Sequence, residues 1–241
     1  KTVVLNEKKE IIQEFVQPTG WSSIDTAEEI LQELKFAGIN LSDDSSCCVA
    51  TGYGRISVPY ADKTVTEITC HALGAVHLFQ QSDLTVIDIG GQDTKIIQIE
   101  QGFVKDFIMN DKCAAGTGRF LEVMANTLSL RPNEMFELAR LGSDTTISSM
   151  CTVFAESEVI GLIGKGEPKE NIAYAVVDST IRKVAAQVSR MNGEMSTFCL
   201  TGGLCECEYI REALSKKLGK EVISSPDARY AGAIGAALSA M

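Results

Sequence analysis

Apolar and polar residues follow two different periods along the chain, and together they predict an α/β fold. β-Branched residues dominate residues 84–107, with breaks at Gly90-Gly91 and Gln101-Gly102, which predicts three short strands joined by tight turns. Apolar residues at helical spacing recur in most of the remaining chain. They predict helices at residues 26–36, 65–79, 117–128, 132–141, 152–163, 171–191, 206–218 and from 230 onward, with further strands at 47–50, 197–200 and 221–224.

The start of the chain looks like a second copy of part of this three-stranded stretch. Residues 1–15 align with residues 95–107, which indicates an internal duplication. The first copy lacks the leading strand and the Gly-rich turn that correspond to residues 85–94. We therefore expect the natural protein to carry roughly ten to twenty more residues at its start, with a second phosphate-binding turn. The two expected lobes are residues 1–81 and residues 82–241.

Composition narrows the classes of protein that fit. The net charge of −10, from 22 Lys and Arg against 32 Asp and Glu, argues against a nucleic-acid partner. No apolar run approaches the ~20 residues that span a bilayer, and no export signal opens the chain, so we expect a cytoplasmic protein with no membrane partner. In that compartment the eight cysteines are expected to be core residues or metal ligands rather than disulfides.

The first candidate nucleotide motif is Asp88-Ile-Gly-Gly-Gln-Asp93, between two predicted strands. Without a Cβ, Gly90 and Gly91 let backbone N–H groups approach a phosphate closely. Asp88 and Asp93 would then hold Mg²⁺, directly or through water, and Gln92 would orient an attacking water. A plain type I′ hairpin turn explains the two glycines equally well.

Two further Gly-rich segments add to this motif. Thr201-Gly202-Gly203 follows a predicted strand and precedes a helix, so its backbone can pass close to a flat ligand or a phosphate. Near the end of the chain, residues 231–237 form a small-residue helix face whose start, at Gly232 and Ala233, could reach a nucleotide base. An ordinary strand-to-helix turn and a closely packed helix are the structural alternatives.

These three motifs resemble the phosphate and adenosine motifs of the actin, sugar-kinase and heat-shock ATPase superfamily. Longer strings narrow the resemblance to the activator ATPases of 2-hydroxyacyl-CoA dehydratases and the related ATPase subunits of benzoyl-CoA reductases. These strings are Thr51-Gly-Tyr-Gly-Arg55, Asn110-Asp-Lys-Cys-Ala-Ala-Gly-Thr-Gly-Arg-Phe-Leu121 and Cys151-Thr-Val-Phe-Ala-Glu-Ser-Glu-Val159. The resemblance implies two duplicated actin-like (ribonuclease H-like) α/β lobes around a nucleotide cleft that takes ATP or ADP with Mg²⁺.

Two cysteines precede predicted helices, Cys113 and Cys151. We expect both at helix N-termini, where free N–H groups and the helix dipole lower a thiol pKa and favour an anionic cluster. A 4Fe-4S cluster needs four thiolates, and two copies of the chain would supply them. The resemblance likewise implies one cluster per homodimer, with Cys113 and Cys151 as ligands. Each alone could be a buried small hydrophobe, which is how we interpret Cys47, Cys48, Cys70, Cys205 and Cys207.

The resemblance therefore implies an ATP-dependent reductive activator, an ATPase coupled to electron transfer. It would pass one low-potential electron from a ferredoxin or flavodoxin to a 2-hydroxyacyl-CoA dehydratase or a related reductase of the benzoyl-CoA type. A small-molecule kinase on the same fold, in which Asp88 or Asp93 assists a substrate hydroxyl, is a second hypothesis and predicts no iron. A scaffold that binds ATP without turnover is a third.

Overall fold

A computed structural model of the chain describes residues 1–43, 45–148, 151–192 and 197–241. The fold is α/β, as predicted, and it divides into two compact units. The first unit comprises Lys1–Ser82, Gln101–Val104 and Tyr230–Met241, and the second comprises Asp83–Glu100 and Lys105–Arg229. The lobe boundary after residue 81 stays a prediction, but the last segment of the chain belongs to the first unit rather than to the second.

In its described residues, the first unit contains two small sheets and three α-helices. Its elements are β1 Thr2–Leu5, β2 Ile11–Phe15, α1 Ser23–Phe36, β3 Val49–Ala50, β4 Lys63–Thr64, α2 Glu67–Phe79 and α8 Ala231–Leu238, with a 3-10 helix at Tyr53–Ser57. Strands β1 and β2 form an antiparallel hairpin, and β3 and β4 pair in parallel. The predicted strand at residues 47–50 is therefore confirmed only for its second half, and β4 was not predicted.

Helices α2 and α8 of the first unit pack unusually closely, which explains where the C-terminal segment lies. A Cβ atom on Gly74 would lie 1.9 Å from the carbonyl oxygen of Ala231, and one on Gly235 would lie 1.7 Å from that of Cys70. Only glycine allows two helix backbones to approach this far. The small-residue face in the last helix therefore has a packing role, which is the structural alternative raised above.

The second unit is built on a mixed five-stranded sheet in the order β7-β6-β5-β8-β9. The central strand β5 runs antiparallel to β6 and parallel to β8, and all six of its residues are buried, as expected for a strand covered on both faces. The strands are β5 Leu84–Ile89, β6 Thr94–Glu100, β7 Phe103–Asn110, β8 Thr197–Gly202 and β9 Val222–Ile223. The helices are α3 Gly118–Thr127, α4 Pro132–Ala139, α5 Thr152–Gly164, α6 Lys169–Val188 and α7 Glu208–Leu218.

The helix ends follow local sequence signals. Ser22 accepts a hydrogen bond from the N–H of Asp25 at the start of α1, and Pro132 occupies the first turn of α4. Gly219 adopts a left-handed conformation and ends α7. All the predicted helices and the three-stranded stretch are confirmed, whereas the 3-10 helices at Tyr53–Ser57 and Pro226–Tyr230 were not predicted. Among the residues described, no helix is long and apolar enough to cross a bilayer.

Each of the two segments that the predicted duplication aligns contains a pair of hydrogen-bonded strands. Strands β1 and β2 are hydrogen-bonded neighbours in the first unit, and β6 and β7, the strands aligned with them in sequence, are neighbours in the larger sheet. The duplication as such, and the missing first strand and turn, stay predictions.

Candidate functional site

The turn between β5 and β6, residues 90–93, is the first part of the candidate site, and we call it the glycine hairpin. The N–H of Gly90 donates a 2.9 Å hydrogen bond to the carbonyl oxygen of Asp93. A Cβ on Gly90 would lie 2.7 Å from the Asp93 carboxylate, so glycine is required there. Gly91 and Gln92 are exposed at the tip. Because the Gly90 amide is already used, the amides of the exposed residues Gly91 and Gln92 are the candidates for binding a phosphate.

A buried lysine joins the two aspartates of this motif. The Lys95 ammonium lies 2.8 Å from a carboxylate oxygen of Asp93 and 3.3 Å from one of Asp88. All three residues are more than nine-tenths buried. Lys95 was not predicted as a site residue, although the hairpin register contains the signal, because Asp88 pairs directly with Lys95 across the strands. The Lys95 ammonium thus provides a counter-charge for both carboxylates.

The second Gly-rich motif lies directly beside the first. Strand β8 runs parallel to β5 with Asp88 opposite Thr201, and the Thr201 hydroxyl donates a 3.0 Å hydrogen bond to the Asp88 carboxylate. The N–H of Gly203 donates to the Ile89 carbonyl at 3.1 Å. Gly202 has a φ of +86°, and a Cβ there would lie 2.5 Å from that same carbonyl oxygen. The structure therefore brings together Asp88, Gly90, Gly91, Gln92, Asp93, Gly202 and Gly203 at one end of the sheet.

The third predicted nucleotide motif belongs to the other compact unit. Gly232 and Ala233 lie in the first turn of α8, and a Cβ on Gly232 would lie 2.9 Å from the imidazole Cε1 of His71. Gly232 is buried and Ala233 is half-buried. Their part in nucleotide binding stays a prediction.

Cys113 lies in the loop of residues 111–117, which we call the Cys113 loop, and not at the helix N-terminus as expected. Helix α3 starts at Gly118, after the cap residue Thr117. Gly116 has a φ of +85°, a left-handed conformation that cannot belong to the helix, and so α3 does not extend back to Cys113. The Asn110 amide holds the loop by donating to the carbonyls of Cys113 at 2.8 Å and Ala115 at 3.0 Å.

Cys151 occupies the position predicted for it. It is the cap residue of α5, with extended backbone dihedrals, and its side chain is exposed. The segment before it is held at two points: the Glu158 carboxylate accepts from the N–H of Ser148 at 3.1 Å, and the Arg182 guanidinium donates to the Ile147 carbonyl at 3.0 Å. Glu158 and Arg182 thus hold Ser148 and Ile147, and the sequence did not reveal either contact.

Four of the other cysteines have a thiol pKa above the ordinary value. Burial, with the Asp62 carboxylate nearby, raises the pKa of the Cys48 thiol to about 11. Burial also raises the pKa of the thiols of Cys70, Cys199 and Cys207, and Cys205 is buried. Cys48, Cys70, Cys205 and Cys207 therefore keep their structural interpretation. The expectation of a buried residue is wrong for Cys47, which is exposed and belongs to the first unit.

The two helices that follow Cys113 and Cys151 pack against each other within the second unit. Helix α3 contacts α5, and the Thr127 hydroxyl donates a 3.1 Å hydrogen bond to the Glu156 carboxylate. Helix α5 is apolar around most of its circumference. Its exposed apolar side chains are Val153, Phe154, Ile160 and Ile163. An exposed apolar helix of this kind is typical of an interaction surface.

Three hydrogen bonds connect the glycine hairpin and strand β6 to the Cys113 loop and α3. The N–H of Gly118 donates to the Gly90 carbonyl at 2.9 Å, and the N–H of Arg119 donates to the Gly91 carbonyl at 2.8 Å. The Thr94 hydroxyl, at the start of β6, donates to the Gly116 carbonyl at 2.6 Å. The candidate phosphate turn and the segment that carries Cys113 are therefore in direct contact.

Comparison with known proteins agrees with these motifs. Residues 1–240 match the model of a family described as the BadF/BadG/BcrA/BcrD ATPase family. The chain is 43% identical over 242 residues to the (R)-2-hydroxyglutaryl-CoA dehydratase activating ATPase of Acidaminococcus fermentans, with 100% of this chain and 92% of that protein covered.

Two solved structures are similar over nearly the whole chain. The crystal structure of (R)-2-hydroxyglutaryl-CoA dehydratase component A from Acidaminococcus fermentans matches with a TM-score of 0.90 and 42% identity, covering 99% of this chain and 92% of that one. The activator of the 2-hydroxyisocaproyl-CoA dehydratase from Clostridium difficile, with bound ADPNP, matches with a TM-score of 0.86 and 34% identity, covering 99% and 88%. These matches confirm the predicted actin-like α/β fold class.

Proposed function

Because the chain belongs to the BadF/BadG/BcrA/BcrD ATPase family, we propose that it is an ATP-dependent reductive activator of a 2-hydroxyacyl-CoA dehydratase. It passes one low-potential electron from a ferredoxin or flavodoxin to that enzyme. The names of two relatives, a dehydratase-activating ATPase and a dehydratase activator with bound ADPNP, support this assignment. The observation that carries it is the hydrogen bonding of the glycine hairpin and the adjoining strand β6 to helix α3 and the Cys113 loop.

The nucleotide phosphates bind at the glycine hairpin and the neighbouring Thr201-Gly202-Gly203 turn. Gly91 and Gln92 are exposed residues; their amides bind the phosphates, and the Gln92 side chain orients the attacking water. Asp88 and Asp93 share Lys95 as a counter-charge and use their remaining lone pairs on Mg²⁺ or its water ligands. Thr201 fixes the orientation of the Asp88 carboxylate.

Cys113 and Cys151 fit the ligand set of an iron–sulfur cluster. Their thiols are half-buried and exposed, respectively, they lie in the same compact unit, and they precede helices that pack on each other. A bound 4Fe-4S cluster supplies a one-electron carrier of low potential. The free N–H groups at the start of α5 favour negative charge next to Cys151.

A second copy of the chain completes this ligand set, because each copy offers two of the four thiolates. The exposed apolar side chains of α5, which begin two residues after Cys151, give a second copy a surface to cover. We therefore propose a homodimer with one cluster between its two copies. The partner enzyme is proposed as a class, 2-hydroxyacyl-CoA dehydratases, with a reductase of the benzoyl-CoA type as the alternative.

The test is ATP-dependent electron delivery under strict exclusion of oxygen. Protein reconstituted with iron and sulfide and reduced with dithionite is mixed with (R)-2-hydroxyglutaryl-CoA dehydratase, and its visible absorbance is followed on addition of ATP and Mg²⁺. We expect re-oxidation that requires ATP and is lost in Cys113→Ser and Cys151→Ser, whereas Cys47→Ser, an exposed thiol of the first unit, behaves as wild type. A colourless protein that phosphorylates a small alcohol would support the kinase hypothesis instead.

A further inference from the structure

Of the three hydrogen bonds described above between the glycine hairpin or strand β6 and the Cys113 loop or α3, one is made by a side chain, which can be altered without changing the backbone. Two of the three hydrogen bonds join backbone atoms, from Gly118 and Arg119 to the hairpin carbonyls. The third runs from the Thr94 hydroxyl to the Gly116 carbonyl. Thr94 is therefore the residue through which this connection can be tested.

Thr94 directly follows the glycine hairpin, so a change in the hairpin conformation affects its position directly. It is the first residue of β6, two positions after Gln92, and it pairs with Ile89 across the hairpin. Its side chain is fully buried, so water does not compete for the 2.6 Å hydrogen bond to Gly116. If the start of β6 is displaced, we therefore expect the Gly116 carbonyl to move with the Thr94 hydroxyl, because water does not replace this hydrogen bond.

Gly116 is closely packed and has a backbone conformation that favours glycine. Its φ of +85° and its close approach to α6, where a Cβ would lie 2.8 Å from Cγ of Lys183, both require glycine. On the other side, the Asn110 amide binds the carbonyls of Cys113 and Ala115 together. The Asn110 amide thus links Cys113 to Ala115, the residue before Gly116.

We propose that Thr94 is a positioning residue that transmits the nucleotide state of the glycine hairpin to Cys113. This inference rests on the proposed function, because it requires the hairpin to bind nucleotide. In nucleotide-bound protein the start of β6 takes a different position from that in nucleotide-free protein, and the Thr94 hydroxyl carries the Gly116 carbonyl with it. Without the hydroxyl, nucleotide still binds but the Cys113 thiol no longer responds.

The experiment uses cluster-free full-length protein and the alkylation rate of Cys113, followed by mass spectrometry of the peptide that contains it. The rate is measured without nucleotide, with ADP, and with a non-hydrolysable ATP analogue and Mg²⁺, and the analogue affinity is measured by calorimetry. The variants are Thr94→Val, which removes the hydroxyl at constant shape, and Thr94→Ser, which keeps it. Thr85→Val is the matched control, since Thr85 is also fully buried but its hydroxyl has no hydrogen-bond partner among the described residues.

In wild type, Thr94→Ser and Thr85→Val, we expect the ATP analogue to change the Cys113 alkylation rate at least about threefold. In Thr94→Val we expect the ATP analogue to change the Cys113 alkylation rate less than about 1.5-fold. The affinity for the analogue should stay within about threefold of wild type, because a residue that couples two sites alters the response to the ligand rather than its binding. Thr94→Ala, which also lacks the hydroxyl, is measured in parallel. A folding defect of Thr94→Val alone then does not decide the result.

The outcomes separate this inference from the proposed function. If hydroxyl-free variants respond to nucleotide as wild type does, or if the wild-type thiol does not respond while nucleotide binds, the role of Thr94 is overturned and the proposed function stands. If no variant, wild type included, binds nucleotide, both fail together. As a second readout on loaded protein, Thr94→Val hydrolyses ATP with fewer electrons delivered per ATP.

Discussion

The Lys95 ammonium lies 2.8 Å from the Asp93 carboxylate in surroundings from which solvent is almost excluded. A lysine buried to this degree stays charged only when carboxylates face it, and here Asp88 provides a second one at 3.3 Å. The ammonium therefore holds two carboxylates of the candidate nucleotide site in place before any Mg²⁺ arrives. It links strand β5 to strand β6 at the end of the sheet where β8 also runs beside β5.

Removal of this charge should be costly. Lys95→Met leaves two buried carboxylates without their counter-charge, and we expect a loss of about 3–5 kcal/mol in the free energy of unfolding. Lys105→Met is the matched control on the neighbouring strand, because the pair of Lys105 with Glu100 is exposed and is worth at most about 1 kcal/mol. Urea unfolding measures both. Equal losses in the two variants would refute the structural role of Lys95, and the double variant Lys95→Met/Asp93→Asn should recover part of the loss.

The two glycines after β8 should differ sharply in their tolerance of alanine. Gly202→Ala places a Cβ 2.5 Å from the Ile89 carbonyl oxygen at a φ of +86°, so we expect a loss of about 1–3 kcal/mol in unfolding free energy and weaker nucleotide binding. A Cβ on Gly203 meets nothing within 4 Å, and Gly203→Ala should keep wild-type stability. Thermal unfolding of both variants tests this pair. A destabilised Gly203→Ala beside a stable Gly202→Ala would contradict this account of the turn.

Because α2 and α8 pack closely, we expect three glycine-to-alanine substitutions in the first unit to differ in how much they lower its stability. Gly235→Ala and Gly74→Ala each direct a Cβ to within 2 Å of a backbone carbonyl oxygen on the opposite helix, so we expect losses of at least about 2 kcal/mol. Gly232→Ala instead meets the end of the His71 side chain, which can shift, and should cost less. Chemical unfolding of the three variants gives the order, and the account of α8 fails if Gly232→Ala is the most damaging.

The thiols should differ in reactivity in a way that depends on pH. Because burial raises the pKa of Cys48 to about 11, its thiol stays neutral near pH 8, with about one molecule in a thousand as thiolate. In cluster-free protein, iodoacetamide should therefore modify exposed Cys151 well before Cys48, and the Cys48 rate should rise about tenfold for each pH unit between 8 and 10. Peptide mass spectrometry resolves the two sites. Fast, pH-independent modification of Cys48 would contradict its burial.

Much of the fold could be predicted because the signals for it are local. Helical spacing, Ser22 as a cap and Gly219 as a stop act within one or two turns, and the break at Gly90-Gly91 gives the hairpin. The register of that hairpin would also have paired Asp88 with Lys95, so this ion pair was accessible from sequence and was missed.

The remaining features depend on distant parts of the chain. The bond from Thr201 to Asp88 joins residues 113 positions apart and follows from the parallel register of β5 and β8, which no local pattern encodes. The start of α3 was predicted only to within a few residues, because the left-handed conformation of Gly116 separates Cys113 from the helix. The packing of α8 on α2 likewise requires knowledge of which helix its glycines face.

Native mass spectrometry of anaerobically reconstituted protein tests the central claim most directly. Since each chain offers two suitable thiolates, we expect a particle of two chains with one 4Fe-4S cluster, or about two iron atoms per chain. Cys113→Ser and Cys151→Ser should carry no cluster, whereas Cys47→Ser should carry as much as wild type. A complete cluster on a single chain, or a cluster retained by both Cys113→Ser and Cys151→Ser, would contradict the account.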